Sequence, residues 1–340
     1  MGSTRVALLG TGGTIASTSG SDGQLVARWS VSQLLEGCEV PAGVSIEPAA
    51  DLYRINSWDM DPRSMWLLAA RIDEVLAGPE VAGIVITHGT DTMEETAFAV
   101  DLATSGDKPI VFAAAMRSAD STSADGPRNL SNAVAGAAMP QLRGLGVLVS
   151  TSDELHAARW IRKVHTHHVN AFSSPTFGPV ATFGPAGRIR LAHRTISRWT
   201  PTWPLDPDVQ VVAITPYSGF DPRIVRAVVD QTGARGLVLE GFGLGNLPGT
   251  LTSVVGDLTS RGVVVVIASR VLAGGAYPVY GGEGGGARLA QAGAVFAGEL
   301  PAAKARLLLM YCLAGASPLK ARTRLENALK VFDGEPGVDR

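Results

Sequence analysis

Two threonines, an aspartate and a lysine carry most of the chemistry available to this 340-residue sequence. Thr14 follows the glycine turn of VALLGTGGTIAS, while Thr90 and Asp91 sit in THGTDTMEETAFAV. Each loop comes directly after an apolar, strand-like run. A hydroxyl attacks a carbonyl only when a base or a local charge activates it, and N–H groups exposed by a tight glycine turn can stabilise the resulting oxyanion. Acyl transfer is therefore a chemistry these loops would suit. Asp91 and Lys163, the latter in ARWIRKVHTHH, are the candidates for activating a threonine. A lysine acts as a base only where desolvation outweighs the pull of neighbouring carboxylates.

Plainer readings stand beside this one. Gly10, Gly12 and Gly13 can form a structural turn, and Asp91 and Thr92 can cap a helix. Thr92 and Glu95 fit the T-x-x-E capping box, with Gly106 as a stop for that helix. Other chemistries fit less well. A dinucleotide loop would need glycine where Ile15 stands, and a phosphate loop would need a lysine that is absent. His88 and Asp91 as metal ligands would leave the flanking threonines without a role. His165, His167 and His168 form H-x-H-H without acidic neighbours in sequence, so a surface loop is the expected reading. Ser317 and Lys320 match S-x-x-K, but in isolation near the C-terminus. No metal and no other cofactor is expected.

Loops of this kind need strands to hold them, and the chain offers a regular series. Arg5–Thr11, Val81–Thr87, Pro109–Ala115 and Gly146–Ser150 read as buried strands in the first half, as do Val209–Thr215, Gly236–Glu240 and Gly262–Ser269 in the second. Helical patterns lie between them, opening for example at Asp221-Pro222 and at Pro301. Such alternation predicts an α/β protein with mainly parallel sheets covered on both faces. In that arrangement Thr14 and Thr90 lie at the carboxyl ends of parallel strands and can face one cleft. The length favours two doubly wound domains, a larger N-terminal one and a smaller C-terminal one. Residues 1–190 and 209–340 are the expected domains. Residues 191–208, rich in Pro and Arg, are the expected linker.

Composition narrows the partners. Apolar residues make up 46 % and charged residues 18 %, with a formal net charge of −2. That balance indicates a well-cored globular protein and gives no basic face for nucleic acid. The apolar runs are too short to cross a bilayer. Cys38 and Cys312 are the only cysteines and fit a reduced compartment. With no apolar segment after a basic N-terminal region, a cytoplasmic protein is expected.

TGGTIAS (11–17) and HGTDTMEETA (88–97) together resemble the two signature motifs of the bacterial-type L-asparaginases, in the asparaginase/glutaminase family. INSWDM (55–60), AMRSADSTSADGPRNLSNAV (115–134), GFGLGNL (241–247), SRVLAGGAYP (269–278) and the surroundings of Lys163 are similar to that family as well. The likeness runs from about Val6 to about Leu313. It implies hydrolysis of L-asparagine to L-aspartate and ammonia, with Thr14 as the nucleophile that forms an acyl-enzyme. Thr90, Asp91 and Lys163 match a second, hydrogen-bonded catalytic set, and the Thr90 N–H matches an oxyanion donor. Ser57 matches the group that holds the substrate α-carboxylate, Asp91 one that receives the α-ammonium, and the Ala115 carbonyl one that faces the leaving nitrogen. Gly89 and Trp58 fall at substrate-binding positions. Asn246 and Glu283 match residues that reach the site from a neighbouring subunit, which implies a homo-oligomer, typically a tetramer of intimate dimers.

Two departures from the family pattern bear on function. The family's lid tyrosine has no counterpart between Ser17 and Ser32, where Gln24 is near the expected place and Trp29 is the only aromatic. Trp58 stands where glutamine is common, and its indole would narrow the pocket in favour of asparagine over glutamine. The alternatives are a deamidase of glutamine or another amide, and an amino-acid-binding relative with impaired catalysis.

Overall fold

The computed structural model describes residues 3–20, 22–194 and 196–334. The chain divides into two compact units, Met1–Thr200 and Pro201–Arg340.

The first unit opens with β1 (Thr4–Gly12), a small hairpin of β2 (Ser17–Ser19) and β3 (Leu25–Ala27), and the short helix α1 (Val31–Leu35). β4 (Val44–Ile55), α2 (Pro62–Leu76), β5 (Val81–Thr87), α3 (Met93–Ala103), β6 (Ile110–Ala113), α4 (Gly126–Ala137) and β7 (Val147–Thr151) follow in β-α alternation. Short strands complete it: β8 (Glu154–Ala157), β9 (Arg162–Lys163), β10 (Phe172–Ser173), β11 (Ala181–Phe183) and β12 (Ile189–Leu191). Eight of these form one sheet in the order β12-β11-β8-β7-β6-β5-β1-β4. β4, β1, β5, β6 and β7 run parallel, and the remainder are antiparallel.

Side-chain alternation explains why this sheet is covered twice. Val6, Leu8, Val85 and Val111 point to one face and pack with Val31 and Leu34 of α1 and Leu130, Ala133 and Val134 of α4. Ala7, Leu9, Ile84, Ile86 and Phe112 point to the other, against Leu68 and Ile72 of α2 and Ala97 and Val100 of α3. After β1 the chain adds β4 on one side, then returns to place β5 on the other. The order of strands thus reverses at β1, and a crevice opens there at the carboxyl edge, where open α/β sheets bind ligands.

Residues 192–210 contain no helix or strand among the described residues. Within them Arg198 of the first unit bonds to Asp101 and to the Thr104 carbonyl, while Trp203 of the second unit donates to the Tyr311 carbonyl.

The second unit is a four-stranded parallel sheet in sequential order: β13 (Val211–Ile214), β14 (Gly236–Gly241), β15 (Val264–Ser269) and β16 (Val295–Phe296). α5 (Arg223–Thr232), α6 (Leu251–Ser260) and α7 (Gly286–Gln291) connect the strands. α5 and α6 pack on Leu237, Leu239, Val265 and Ile267. α8 (Ala302–Leu313) also lies against this sheet, and α9 (Pro318–Phe332) packs on α8 and β15. Nearly every residue of α8 is buried, Lys304 included, since the helix lies between the sheet and α9. Ser317 and Lys320 belong to a helix cap, since the Ser317 side chain accepts the Lys320 N–H at the start of α9.

Several local readings change. α3 ends at Ala103, where Thr104 turns extended and its Oγ1 bonds back to the Val100 carbonyl, two residues before Gly106. The long strand β4 was not expected. It lies at the sheet edge, where Pro48 is tolerated, and its pairing with β1 is broken by two register shifts. No helix among the described residues is long and apolar enough to cross a membrane.

Candidate active site

Four loops meet at the carboxyl edge of β4, β1, β5 and β6. β1 leads into Gly12, Gly13 and Thr14, β4 into Ser57, β5 into His88–Asp91, and β6 into Ala115. What brings the first and third of these together is an absence of side chains. Gly13 adopts φ 83° and ψ −178°, a region essentially reserved for glycine. A Cβ there would run into the backbone of Gly89, and a Cβ on Gly89 would meet Ser57 Oγ at 2.6 Å. The loops bearing Thr14 and Thr90 therefore touch backbone to backbone, and the Ser57 side chain packs directly on the Gly89 backbone.

Thr14 is half-buried at the head of a single 3₁₀ turn. Its Oγ1 has no hydrogen-bond partner among the described residues. The loop around it is well fixed: the Gly13 N–H donates to the Ile55 carbonyl at 3.2 Å, and Ser17 Oγ donates to the Gly13 carbonyl at 2.9 Å. Beyond it, the β2–β3 hairpin is tied to the loop after β6 by Ala119 N–H to the Ser17 carbonyl and Ser19 N–H to Asp120. Gln24 is exposed at the base of this hairpin's turn, and Trp29 packs at the edge of the core beneath Ile15 and Leu34.

Thr90 is buried, and its Oγ1 accepts a hydrogen bond from Lys163 Nζ at 2.9 Å. The same ammonium pairs with Asp91 Oδ1 at 2.6 Å. Asp91 is 48 % exposed and Lys163 17 %, so the pair straddles the surface with the carboxylate outermost. Ser57 is buried, and its Oγ accepts the Asp91 N–H at 3.0 Å. Its own hydroxyl hydrogen stays available to a ligand.

The capping box expected from Thr92 and Glu95 does not form. Thr92 holds the N-cap position, but its side chain makes no cap bond. Its Oγ1 instead donates at 2.6 Å to the Ser57 carbonyl, which also accepts the Met60 N–H at 3.0 Å, because the turn after β4 brings that oxygen beside the helix start. The hydroxyl thus joins two loops of the site.

His88 is wholly enclosed. Its Nδ1 must carry the proton, since it bonds at 2.7 Å to the Gly89 carbonyl, which can only accept. Burial pushes its pKa down to about 4, and the Gly89 bond offsets only part of that. The ring is therefore neutral, packed near Phe112, and acts on the backbone of the loop.

Ala115 is buried, and its flanking peptides are held from α4. Asp125 accepts the Met116 and Arg117 N–H groups at 3.0 and 2.9 Å, and Asn129 Nδ2 donates to the Ala114 carbonyl at 2.9 Å. Sequence reasoning assigned no role to Asp125, Asn129 or Glu94, and gave Thr92 only the part of a helix cap. The signal for Asp125 was present but ambiguous, because Asp-Gly-Pro reads as a helix start, whereas here the carboxylate turns back to the preceding loop.

The remaining candidates lie elsewhere. Trp58 is 65 % exposed, so in the single chain its indole does not wall in a pocket. Asn246 and Glu283 belong to the second unit. Asn246 Oδ1 accepts the Gly286 N–H at 3.2 Å, which ties the turn after β14 to the start of α7. Glu283 is 67 % exposed and 3.6 Å from Arg288, on a glycine loop clamped by Leu247 N–H to the Gly284 carbonyl and Gly284 N–H to Thr252 Oγ1. His165, His167 and His168 sit in an exposed loop with their rings in contact, and no group of three metal-binding residues is arranged for a cation among the described residues.

A doubly wound unit with two threonine loops at its switch point, followed by a smaller parallel unit, has clear counterparts. Residues 5–197 match the sequence model of the asparaginase N-terminal domain, and residues 210–325 that of the glutaminase/asparaginase C-terminal domain. A probable L-asparaginase of Deinococcus radiodurans is 36 % identical over 319 residues, covering 91 % of this chain and 92 % of that protein. A glutaminase-asparaginase of Pseudomonas fluorescens is 33 % identical over 283 residues, covering 79 % of this chain and 76 % of its own length. The crystal structure of a probable cytoplasmic L-asparaginase from Campylobacter jejuni superposes with a TM-score of 0.81 at 32 % identity, covering 95 % of this chain and 99 % of that one. The chain belongs to the asparaginase family.

Proposed function

We propose that this protein is an L-asparaginase that hydrolyses the side-chain amide of L-asparagine through an acyl-enzyme on Thr14. The observation that carries this is the contact of the Gly13 and Gly89 backbones, with Lys163 bonded to both Thr90 and Asp91. Thr14 Oγ attacks the amide carbon, and the carbonyl electron pair moves to oxygen, where the Thr90 N–H stabilises it. Collapse expels ammonia once the nitrogen has taken up the proton that left Thr14 Oγ, and the Ala115 carbonyl receives a hydrogen bond from that nitrogen. Water then attacks the ester, releases L-aspartate and returns a proton to Thr14. Ser57 holds the α-carboxylate and Asp91 the α-ammonium. Gly89 lets the substrate approach the loop backbone, with Trp58 at the rim.

Within one chain the Thr14 hydroxyl is left open to a ligand or to a second copy. This supports a site shared between copies, with Asn246 and Glu283 entering from a neighbour in a dimer or tetramer. L-Glutamine is the second substrate in this reading, favoured by the glutaminase-asparaginase relative and by the outward position of Trp58.

Ammonia release from L-asparagine and L-glutamine, by the parent and by Thr14→Val, tests the reading. Thr14→Val should lose activity by about 10⁴-fold or more, and full activity in that variant would refute Thr14 as nucleophile. A parent that binds amino acids but turns over no small amide would favour the impaired, amino-acid-binding relative. Mixing Glu283→Ala with Thr14→Val chains should restore part of the activity if Glu283 acts between copies.

A further inference from the structure

Lys163 is the one member of the central set that does not stand on the main sheet. It lies on β9, which pairs only with β10 in a separate two-stranded ribbon, and an exposed loop follows it. A lysine side chain has four rotatable bonds, so an ammonium placed within 3 Å of two oxygens needs its backbone fixed as well. The Lys163 N–H donates to Glu94 Oε2 at 2.9 Å. Glu94 sits in the first turn of α3, four residues after Thr90 and three after Asp91. One five-residue segment, 90–94, therefore grips Lys163 at both ends: Glu94 takes the backbone N–H, and Thr90 and Asp91 take the ammonium.

We infer that Glu94 is a positioning residue of the active site, which sets where the Lys163 ammonium stands by holding its main chain. This rests on reading Thr90, Asp91 and Lys163 as a hydrogen-bonded catalytic set in the proposed function. The usual part of an acidic residue in a first helical turn is to complement the helix dipole, which requires its charge. Gripping the Lys163 N–H requires only an acceptor oxygen at the end of a stem of this length. Glutamine keeps that oxygen and loses the charge, whereas alanine loses both, so the two roles separate experimentally.

Steady-state kinetics with L-asparagine are measured for the parent, Glu94→Gln, Glu94→Ala and Lys163→Met, with urea unfolding of each. Displacing a catalytic group by about an ångström costs on the order of 10- to 100-fold in rate. Glu94→Ala should lose kcat by that factor, with KM changed by less than about 3-fold, and Glu94→Gln should keep kcat within about 3-fold of the parent. Glu94→Ser, whose side chain is too short to reach Lys163, replaces Glu94→Ala if that variant does not fold. The inference is overturned if Glu94→Ala keeps the parent kcat, if Glu94→Gln falls as far as Glu94→Ala, or if the loss only follows the unfolded fraction. Lys163→Met distinguishes the levels. If it retains parent activity, the reading of the site fails. If it is inactive while Glu94→Ala is not, only the role of Glu94 fails.

Discussion

The enclosed His88 makes acid stability a direct measure of how the floor of the site is built. Its pKa is pushed down to about 4 by burial, whereas the same ring in an unfolded chain titrates near 6.5. Between those values the unfolded chain binds a proton that the folded one refuses. Stability therefore rises with pH across the window, and falls as the solution is taken from about pH 6.5 towards pH 4. The gap is roughly two and a half pH units at about 1.4 kcal/mol each, so roughly 3.5 kcal/mol of stability at neutral pH depends on this ring staying neutral. That is a large part of an ordinary margin of about 5–15 kcal/mol. The test is urea unfolding of the parent and of His88→Asn at several values from pH 7.5 to pH 4.5. Asparagine can offer a donor near the place of Nδ1 and has nothing to protonate. The variant should be the less stable protein at pH 7.5, having lost the ring beside Phe112, but its stability should depend less on pH. By pH 4.5 the difference between the two should have closed by about 2.5 kcal/mol. Parallel curves would show that His88 is not held neutral by the fold.

Three other substitutions probe the contacts between the loops. Gly13→Ala forces a side chain into a glycine-only conformation and against Gly89. It should cost about 1–3 kcal/mol in urea unfolding and most of the turnover, and an active, stable variant would contradict the backbone seam. Thr92→Val removes the bond to the Ser57 carbonyl. It should destabilise by about 1 kcal/mol and raise KM several-fold more than it lowers kcat, whereas an unchanged KM would separate Thr92 from Ser57. Asp125→Ala frees the peptides on the far side of Ala115. Turnover should fall about 10-fold or more, with Asp125→Asn less affected, and equal rates in all three proteins would remove Asp125 from the support of that loop.

The parts of this architecture that were legible in sequence are those set by the interior. Buried parallel strands appear as continuous apolar runs, so β1, β5, β6, β7, β14 and β15 were found within a few residues of their ends. β4 was missed because an edge strand need not be apolar on both faces, and Glu47, Pro48, Asp51 and Arg54 hide its pattern. The turn at Ser152-Asp153, with φ of 48° and 61°, was equally silent, since neither residue announces a left-handed backbone as Asn-Gly would. At the site, the glycines marked where loops would be tight. They could not show that Gly13 and Gly89 would be each other's neighbours, because 76 residues separate them. Thr92 read as a helix cap, and Glu94 drew no reading at all. Their actual partners, Ser57 and Lys163, are distant in sequence and follow from tertiary contact alone.

The position of β1 also bears on how the protein is made. β1 is synthesised before either of its neighbours, yet it ends up inside the sheet, with Val6, Leu8 and Leu9 fully buried between β4 and β5. Its second neighbour is not complete until residue 87. At synthesis rates of about 5–20 residues per second, roughly 4 to 15 s pass between the end of β1 and the arrival of that partner. For that interval a nascent chain carries an apolar strand with open edges, the kind of segment that chaperones retain and that crowded ribosomes can bring together. The loop that holds Thr14 is thus translated well before the strand that fixes its final form.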